Sequence, residues 1–293
     1  MYPAAFEYLE PRTLQEAVEL LRQWGEDARI LAGGQSLVPL MKLRLARPRY
    51  LIDLNRVPGL SYIKEENGRL RIGALTRHAE IEEAKPVREK IPLMQEAVRV
   101  LGDLQVRNLG TIGGAIVEAD PAGDWGPVIL ALNARVKCLG LHGEREVEAK
   151  DFFTFAYTTA LQPDEVVTEV SVPIPSAPRL GTYEKLERVA GDFAIASVAV
   201  QIDIDRDGIC REIGIGLGGA DEKPLKALSV EVLLRGQKIS SELLEAGARQ
   251  LQEIANPIGD LRGSSEYKKE VLAVIFRRAL ERLIERSRAL REK

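Results

Sequence analysis

RILAGGQSLVPLMKL, Arg29 to Leu43, joins a short apolar strand to a helical pattern through two consecutive glycines and a polar pair. Ile30, Leu31 and Ala32 end abruptly at Gly33 and Gly34, where the backbone can take φ > 0 and approach a ligand with no Cβ in the way. Successive amide N–H groups in such a turn form an anion-binding nest. Ser36 is a candidate N-cap, and Pro39 suits the first helical turn, where its missing N–H breaks no ladder bond. The helix N-terminus adds partial positive charge at the same spot. The stretch reads as a cradle for a phosphate-bearing ligand; the plainer reading is a tight turn after a strand.

A second stretch, TIGGAIVEADPAGD from Thr111 to Asp124, again carries paired glycines, Gly113 and Gly114, beside apolar residues that read as strand. Two such loops can grip one ligand, and a ligand with two or more phosphates and a long body would use both.

Composition narrows the field. The 293 residues can bury a large core and suggest two or three domains. With 41 basic and 44 acidic side chains, net −3, the chain lacks the basic footprint of a nucleic-acid binder. MYPAAFEYLEPR has no basic n-region or long apolar h-region, so a secretory signal is not expected. No apolar run approaches a membrane span. Cys138 and Cys210 stand far apart without a CxxC pattern, which argues against a disulfide framework, a zinc site or an iron–sulfur cluster in this chain. A reducing, cytoplasmic setting is the natural expectation. Only His78 and His142 are available, too few for a multi-histidine metal site.

Along the chain, Thr13 to Gly25 has an N-cap candidate, Glu16 three residues on, and Leu14, Ala17, Val18, Leu21 and Trp24 at helical spacing. YLIDL, from Tyr50 to Leu54, reads as a strand and completes a small α/β lobe ending near Val57-Pro58-Gly59. SYIKEENGRLRIGAL then alternates and turns at Asn67-Gly68, a strong hairpin signal. Thr76 caps a short helix containing His78, which reads as a surface or capping residue. Pro92 opens PLMQEAVRVLG, and DWGPVILALNARVKCLGL gives a helix leading into a strand. After the short strands of REVEAKDFF and EVVTEVSVP, the prolines at 173, 175 and 178 mark a linker. Beyond it a strand-rich stretch becomes helical to the end.

Gly214, Gly216 and Gly219 match GxGxxG, but they lie within or at the end of an alternating apolar strand, and the polar ADEKP after them opens no helix. The dinucleotide fingerprint needs a strand before it and a helix opening within it. The match is therefore rejected. From Arg262 to Lys293 ten basic residues stand against five acidic ones, which reads as a solvated helix face with i,i+4 pairs, or as a docking surface for an acidic partner.

AGGQSLVPLMKLRLARP, QVRNLGTIGGAIVEADPAGDW, YEKLERVAGDFAIASVAV and DLRGSSEYKKEVLAVIFRRAL occur in that order over most of the chain. Together they resemble the FAD-binding medium subunit of the carbon monoxide dehydrogenase and xanthine dehydrogenase type of molybdenum hydroxylases. The resemblance implies an α+β protein: a two-lobed FAD-binding unit of the vanillyl-alcohol-oxidase type, with lobes at 1–57 and 58–176, and a C-terminal antiparallel sheet with helices at 177–293. It implies non-covalent FAD in the cleft between the lobes. Ala32, Gly33, Gly34, Gln35, Ser36 and Leu37, with Thr111, Gly113, Gly114 and Ala115, would line the pyrophosphate and ribityl chain, and Leu101 would join the site. Asp124 would accept hydrogen bonds from ribose or ribityl hydroxyls rather than transfer protons; on the residues alone it caps a helix from Trp125 to Asn133. Leu161 and Lys185 would lie near the flavin ring, the Lys185 charge able to stabilise reduced, anionic flavin; on the residues alone Lys185 is a surface strand residue. The chain departs from the family pattern at Ala115, Glu118 and Trp125.

No metal-ligand cluster and no acid–base pair with a separate substrate domain is recognisable, which fits electron transfer rather than substrate oxidation. The resemblance supplies the circuit: a molybdenum-cofactor large subunit, a small subunit with two [2Fe–2S] clusters, and this FAD subunit passing electrons to an external acceptor, assembled as a dimer of heterotrimers. A stand-alone FAD-dependent oxidoreductase on the same fold and a non-enzymatic nucleotide-binding module are the competing expectations.

Overall fold

Two short parallel pairings begin the chain. In the computed structural model, which describes residues 2–177 and 179–291, β1 (Glu7–Leu9), α1 (Leu14–Trp24), β2 (Ala28–Leu31), α2 (Leu37–Lys42) and β3 (Tyr50–Asp53) build a three-stranded sheet of order β1-β3-β2. Parallel neighbours cannot be joined by a tight turn, so the chain must cross over between them, and α1 and α2 are the crossovers. Thr13 accepts from the amide of Glu16, Gly25 ends α1 at φ 49°, and Ala17, Val18 and Leu21 bury its inner face, as the spacing predicts.

The second sheet is antiparallel, of order β4-β5-β10-β6-β7. β4 (Ile63–Glu66) and β5 (Arg69–Gly73) form the expected hairpin, with Asn67 and Gly68 both at positive φ, 51° and 70°, as its two-residue turn demands. Helices α3 (His78–Glu83), α4 (Lys85–Lys90), α5 (Pro92–Arg99), α6 (Leu104–Leu109), α7 (Ile112–Glu118) and α8 (Trp125–Ala131) come next, then β6 (Arg135–Gly140), β7 (Gly143–Glu148), α9 (Ala149–Phe152), the small pair β8 (Phe153–Phe155) and β9 (Thr158–Thr159), and β10 (Val166–Pro173). Two expectations change here. The residues around Gly113-Gly114 are helical, because Thr111 caps α7 by accepting from the Gly114 amide at 3.0 Å. Thr76 caps nothing: its hydroxyl bonds the backbone of Tyr62, and Arg77 occupies the N-cap position of α3. Pro178, one of the expected linker prolines, lies outside the described residues, as do Glu292 and Lys293 of the basic C-terminal stretch.

The third sheet, β11 (Leu180–Leu186), β12 (Ala196–Ile204), β13 (Cys210–Gly218) and β14 (Leu225–Lys226), is antiparallel in sequence order. One face packs on α5 and α8; the other is covered by α10 (Leu228–Leu234), α11 (Ser241–Ile254) and α12 (Ser265–Arg291). The period of two along β13 divides these roles. Ile213, Ile215 and Leu217 enter the core with α12, while Gly214 and Gly216 face α8 so closely that a Cβ would stand 1.9 Å from the carbonyl oxygens of Ala131 and Pro127. The first two GxGxxG glycines therefore seat a helix on a sheet, while Gly219 turns the chain at φ +64° against Ile195. Three basic residues of α12 find partners on other elements: Arg277 pairs with Glu245, Arg282 with Glu184 at 2.8 Å, and Arg286 with Glu96 at 3.0 Å.

Candidate cofactor site

The two glycine loops meet. A Cβ placed on Gly33 would lie 2.2 Å from the Leu109 carbonyl oxygen and 2.7 Å from Gly110 Cα, so the loop after β2 presses directly on the turn that leads into α7. A Cβ on Gly114 would lie 3.7 Å from that of Ala32, with only Thr111 Oγ1 closer, at 2.9 Å. Side chains that carry no sequence signal fasten the junction. Asn55, just beyond β3, donates to the Ala32 carbonyl at 2.8 Å and accepts from Arg77 at 2.6 Å, and Arg77 also donates to the Leu109 carbonyl. One guanidinium thus ties a carbonyl of the second loop to the asparagine that holds the first.

The loops differ in what they leave open. Gly34 sits at φ +70°, and among the described residues the amides of Gly34, Gln35, Ser36 and Leu37 donate to no acceptor within the chain. Ser36 holds the N-cap position of α2 but, at φ −102° and ψ −52°, makes no capping bond, contrary to expectation, because its backbone is already helical and not extended. Four successive amides of half-buried residues and a hydroxyl therefore stand unengaged at one helix start, the kind of donor set a pyrophosphate requires. In the second loop every corresponding amide is occupied: Ile112 donates to Thr76, Gly113 to Ala74, Gly114 to the Thr111 hydroxyl and Ala115 to the Thr111 carbonyl. What this loop offers is close approach, since Gly114 is exposed. A cradle that a Cβ would fill, lined by free amides, fits an FAD.

His78, expected at the surface, is 3% exposed. Its Nδ1 accepts from the Trp125 indole at 3.1 Å, its backbone amide donates to the Gly110 carbonyl at 3.1 Å, and its ring leaves no room for a Cβ on Gly110. Burial, with Arg77 and Arg107 nearby, holds its pKa down to about 3, so the imidazole stays neutral. Trp125, one of the departures from the family pattern, is thereby explained as the partner of His78 under the second loop. Glu118 at the end of α7 is half-buried, and burial with Asp120 nearby raises its carboxyl above the usual range. Ala115 is half-buried; nothing in the structure explains its replacing a larger residue.

Asp124 and Lys185 also come together. Asp124 stands at the N-cap position of α8 yet makes no capping bond, and the helix ends at Ala131, so the capping reading fails. Its Oδ1 accepts from the buried Tyr183 hydroxyl at 2.7 Å and lies 3.2 Å from Lys185 Nζ. The Lys185 side chain is 3% exposed, which removes the surface reading, and it donates to the carbonyls of Val100 and Asp192 at 2.9 and 3.0 Å. Burial pushes the Asp124 carboxyl up in spite of Lys185 and Tyr183. Tyr183 and Glu187, the latter 2.8 Å from Lys185, carry no sequence signal beyond lying on the same strand and loop. Leu101, just beyond α5, is buried in the central core, and Leu161 is half-buried against that core.

Known proteins share this architecture and its domains. Residues 4–175 match the FAD binding domain in molybdopterin dehydrogenase, and residues 181–283 the CO dehydrogenase flavoprotein C-terminal domain. The glyceraldehyde dehydrogenase medium chain of Sulfolobus acidocaldarius is 42% identical over 96% of this chain and 99% of its own length. The carbon monoxide dehydrogenase medium chain of Afipia carboxidovorans is 37% identical over 96% and 98%. A chain of the Cu,Mo-CO dehydrogenase crystal structure, in its cyanide-inactivated form, superposes with a TM-score of 0.95 at 37% identity, covering 98% of this chain and all of that one.

Proposed function

The chain belongs to the FAD-binding medium subunits of the molybdenum hydroxylases, and from that premise we propose that it is the electron-transfer subunit of such a complex, carrying electrons from the [2Fe–2S] clusters of a small partner to an external acceptor. A molybdenum-binding large subunit oxidises the substrate in this reading, and the assembly is a cytoplasmic dimer of heterotrimers. FAD supplies the two-electron carrier chemistry when bound.

The chain's own residues bind and orient it. The amides of Gly34 to Leu37 hold the pyrophosphate, Gly114 admits the ligand against α7, Asp124 accepts from a ligand hydroxyl through the oxygen that Tyr183 and Lys185 leave open, and Leu101 and Leu161 contribute apolar wall. The single observation that carries this is the meeting of the two loops, with a Gly114 Cβ only 3.7 Å from that of Ala32 while the first-loop amides stay free. Titration of the apoprotein with FAD tests it: the wild type binds, and Gly114→Val binds on the order of tenfold to a hundredfold more weakly, the loss of about 1.4 to 2.8 kcal/mol. Equal affinity in the two proteins contradicts the assignment. The isolated chain should also pass electrons from dithionite to a dye without oxidising an organic substrate; substrate turnover by the chain alone at the rate of an assembled enzyme contradicts the proposed division of labour.

A further inference from the structure

Lys185 has more acceptors than protons. An ammonium carries three N–H donors, and four oxygens from separate residues surround it: the carbonyls of Val100 and Asp192 at 2.9 and 3.0 Å, Glu187 Oε2 at 2.8 Å and Asp124 Oδ1 at 3.2 Å. Two of the four belong to carboxylates. With every group ionised, the cluster holds one positive charge against two negative ones in a nearly dry place, the Asp124 and Lys185 side chains being 8% and 3% exposed. An unbalanced buried charge is costly, and one added proton removes both the excess charge and the shortage of donors. Tyr183 supplies a donor to Asp124 but no charge, because burial and the Asp124 charge keep its hydroxyl protonated.

A route for that proton exists. Glu187 is the most open member, its side chain 21% exposed. With Tyr183 and Lys185 it lines a cavity whose other charged walls are Glu96 and Arg99 from α5, Glu184 from β11 and Arg282 from α12. Arg282 lies within ion-pair distance of both Glu184 and Glu96, and Arg286 also pairs with Glu96, so the rim carboxylates are engaged by arginines of α12.

We propose that Asp124, Lys185 and Glu187 act as one proton-holding unit, taking up a proton from solvent through this cavity when the FAD of this subunit is reduced. The inference rests on the FAD-binding reading. Two electrons and one proton delivered to the flavin leave one net negative charge on it; the further proton, bound as a carboxyl O–H in the cluster, brings the total to two electrons and two protons. The electrons come from the partner's iron–sulfur clusters in the complex, or from an electrode in vitro, and the proton comes from water. Burial and, to a lesser degree, Glu187 raise the Asp124 carboxyl before any flavin charge is added, against the opposing pull of Lys185 and Tyr183.

The test is proton uptake during electrochemical reduction of the FAD-loaded full chain, with the counter-electrode in a separate compartment, in weakly buffered solution read with an indicator dye. The wild type takes up two protons per two electrons over part of the neutral range. Glu187→Gln leaves the neutral Asp124–Lys185 pair, and Asp124→Asn leaves the neutral Lys185–Glu187 pair, so each variant takes up one. Infrared titration of the FAD-free chain supplies a second readout: the protonated-carboxyl band of the wild type moves to lower pH by at least one unit, or is lost, in both variants. Two protons per two electrons in either FAD-loaded variant, or an unmoved carboxyl titration, overturns the proposal. Failure of the wild-type chain to bind FAD overturns the functional reading and the redox role together, while the infrared titration still reports whether the cluster shares a proton.

Discussion

Gly33-Gly34 and Gly113-Gly114 are the same dipeptide in two settings. The first comes after strand β2 and bends the chain, with Gly34 at φ +70°, before α2 begins; the second lies inside the first turn of α7, under the Thr111 cap. Among the described residues, the first leaves the amides of Gly34 to Leu37 unengaged, while the second satisfies the amides of Ile112 to Ala115 with Thr76, Ala74 and Thr111. Paired glycines therefore do not by themselves mark an anion nest. The adjoining helix start decides, according to whether its N–H groups lack a cap or already have one. The second loop contributes shape and the first contributes donors.

That contrast can be broken most strongly at Gly33. Gly33→Ala puts a Cβ 2.2 Å from the Leu109 carbonyl, backbone that cannot give way, so it should cost about 1–3 kcal/mol of apoprotein stability as overpacking does and also impair FAD binding. Gly114→Ala meets only Thr111 Oγ1 at 2.9 Å and Ala32, and its apo stability should change by under about 1 kcal/mol, within the range of a mild helix substitution. Urea melts of both apoproteins check the pair, and equal losses would show that the loops are packed alike.

A pH experiment sharpens the contrast from beneath the second loop. The folded-state pKa of His78, about 3, lies below the ordinary 6.5, so the unfolded chain binds a proton that the folded chain does not. The stability that depends on neutral His78 is fully present above pH 6.5 and is lost as pH falls toward 3. Wild-type stability should drop by about 1.4 kcal/mol per unit over this window relative to His78→Gln, which lacks the titration. Denaturant melts at pH 7 and 5 measure the difference, and parallel pH curves for the two proteins would contradict a buried, neutral His78. A modest effect belongs to Tyr183→Phe, which removes one donor to Asp124 and leaves Lys185 in place; about 1 kcal/mol of stability should be lost by melting. A change near zero would mean that Asp124 does not depend on that hydroxyl.

Much of the architecture is legible without coordinates. Thr13 and Gly25 bracket α1, Asn67-Gly68 makes the hairpin, and the glycine turn after β2 can be read from local backbone chemistry, because each of these signals acts over a few residues. The features that escape are long-range. His78 looks exposed until Trp125, 47 positions away, covers it. Lys185 looks like a surface strand residue until the α5 carbonyl end and the start of α8 close around it. Asn55 and Arg77, which join the two loops, belong to no pattern of spacing, and Thr111 gives no sign that it caps its own glycines. Context suffices to reject the GxGxxG run as a dinucleotide site, yet its packing role requires knowing which helix lies against β13.

The division between a donor loop and a shape loop is tested most directly by hydrogen exchange of assigned backbone amides, with and without FAD. The structure predicts that Gly34, Gln35, Ser36 and Leu37 exchange fast in the apoprotein and become strongly protected when FAD is added, while Ile112 to Ala115 are protected beforehand and change little. Protection gained at Ile112 to Ala115 with the first-loop amides unaffected would contradict it.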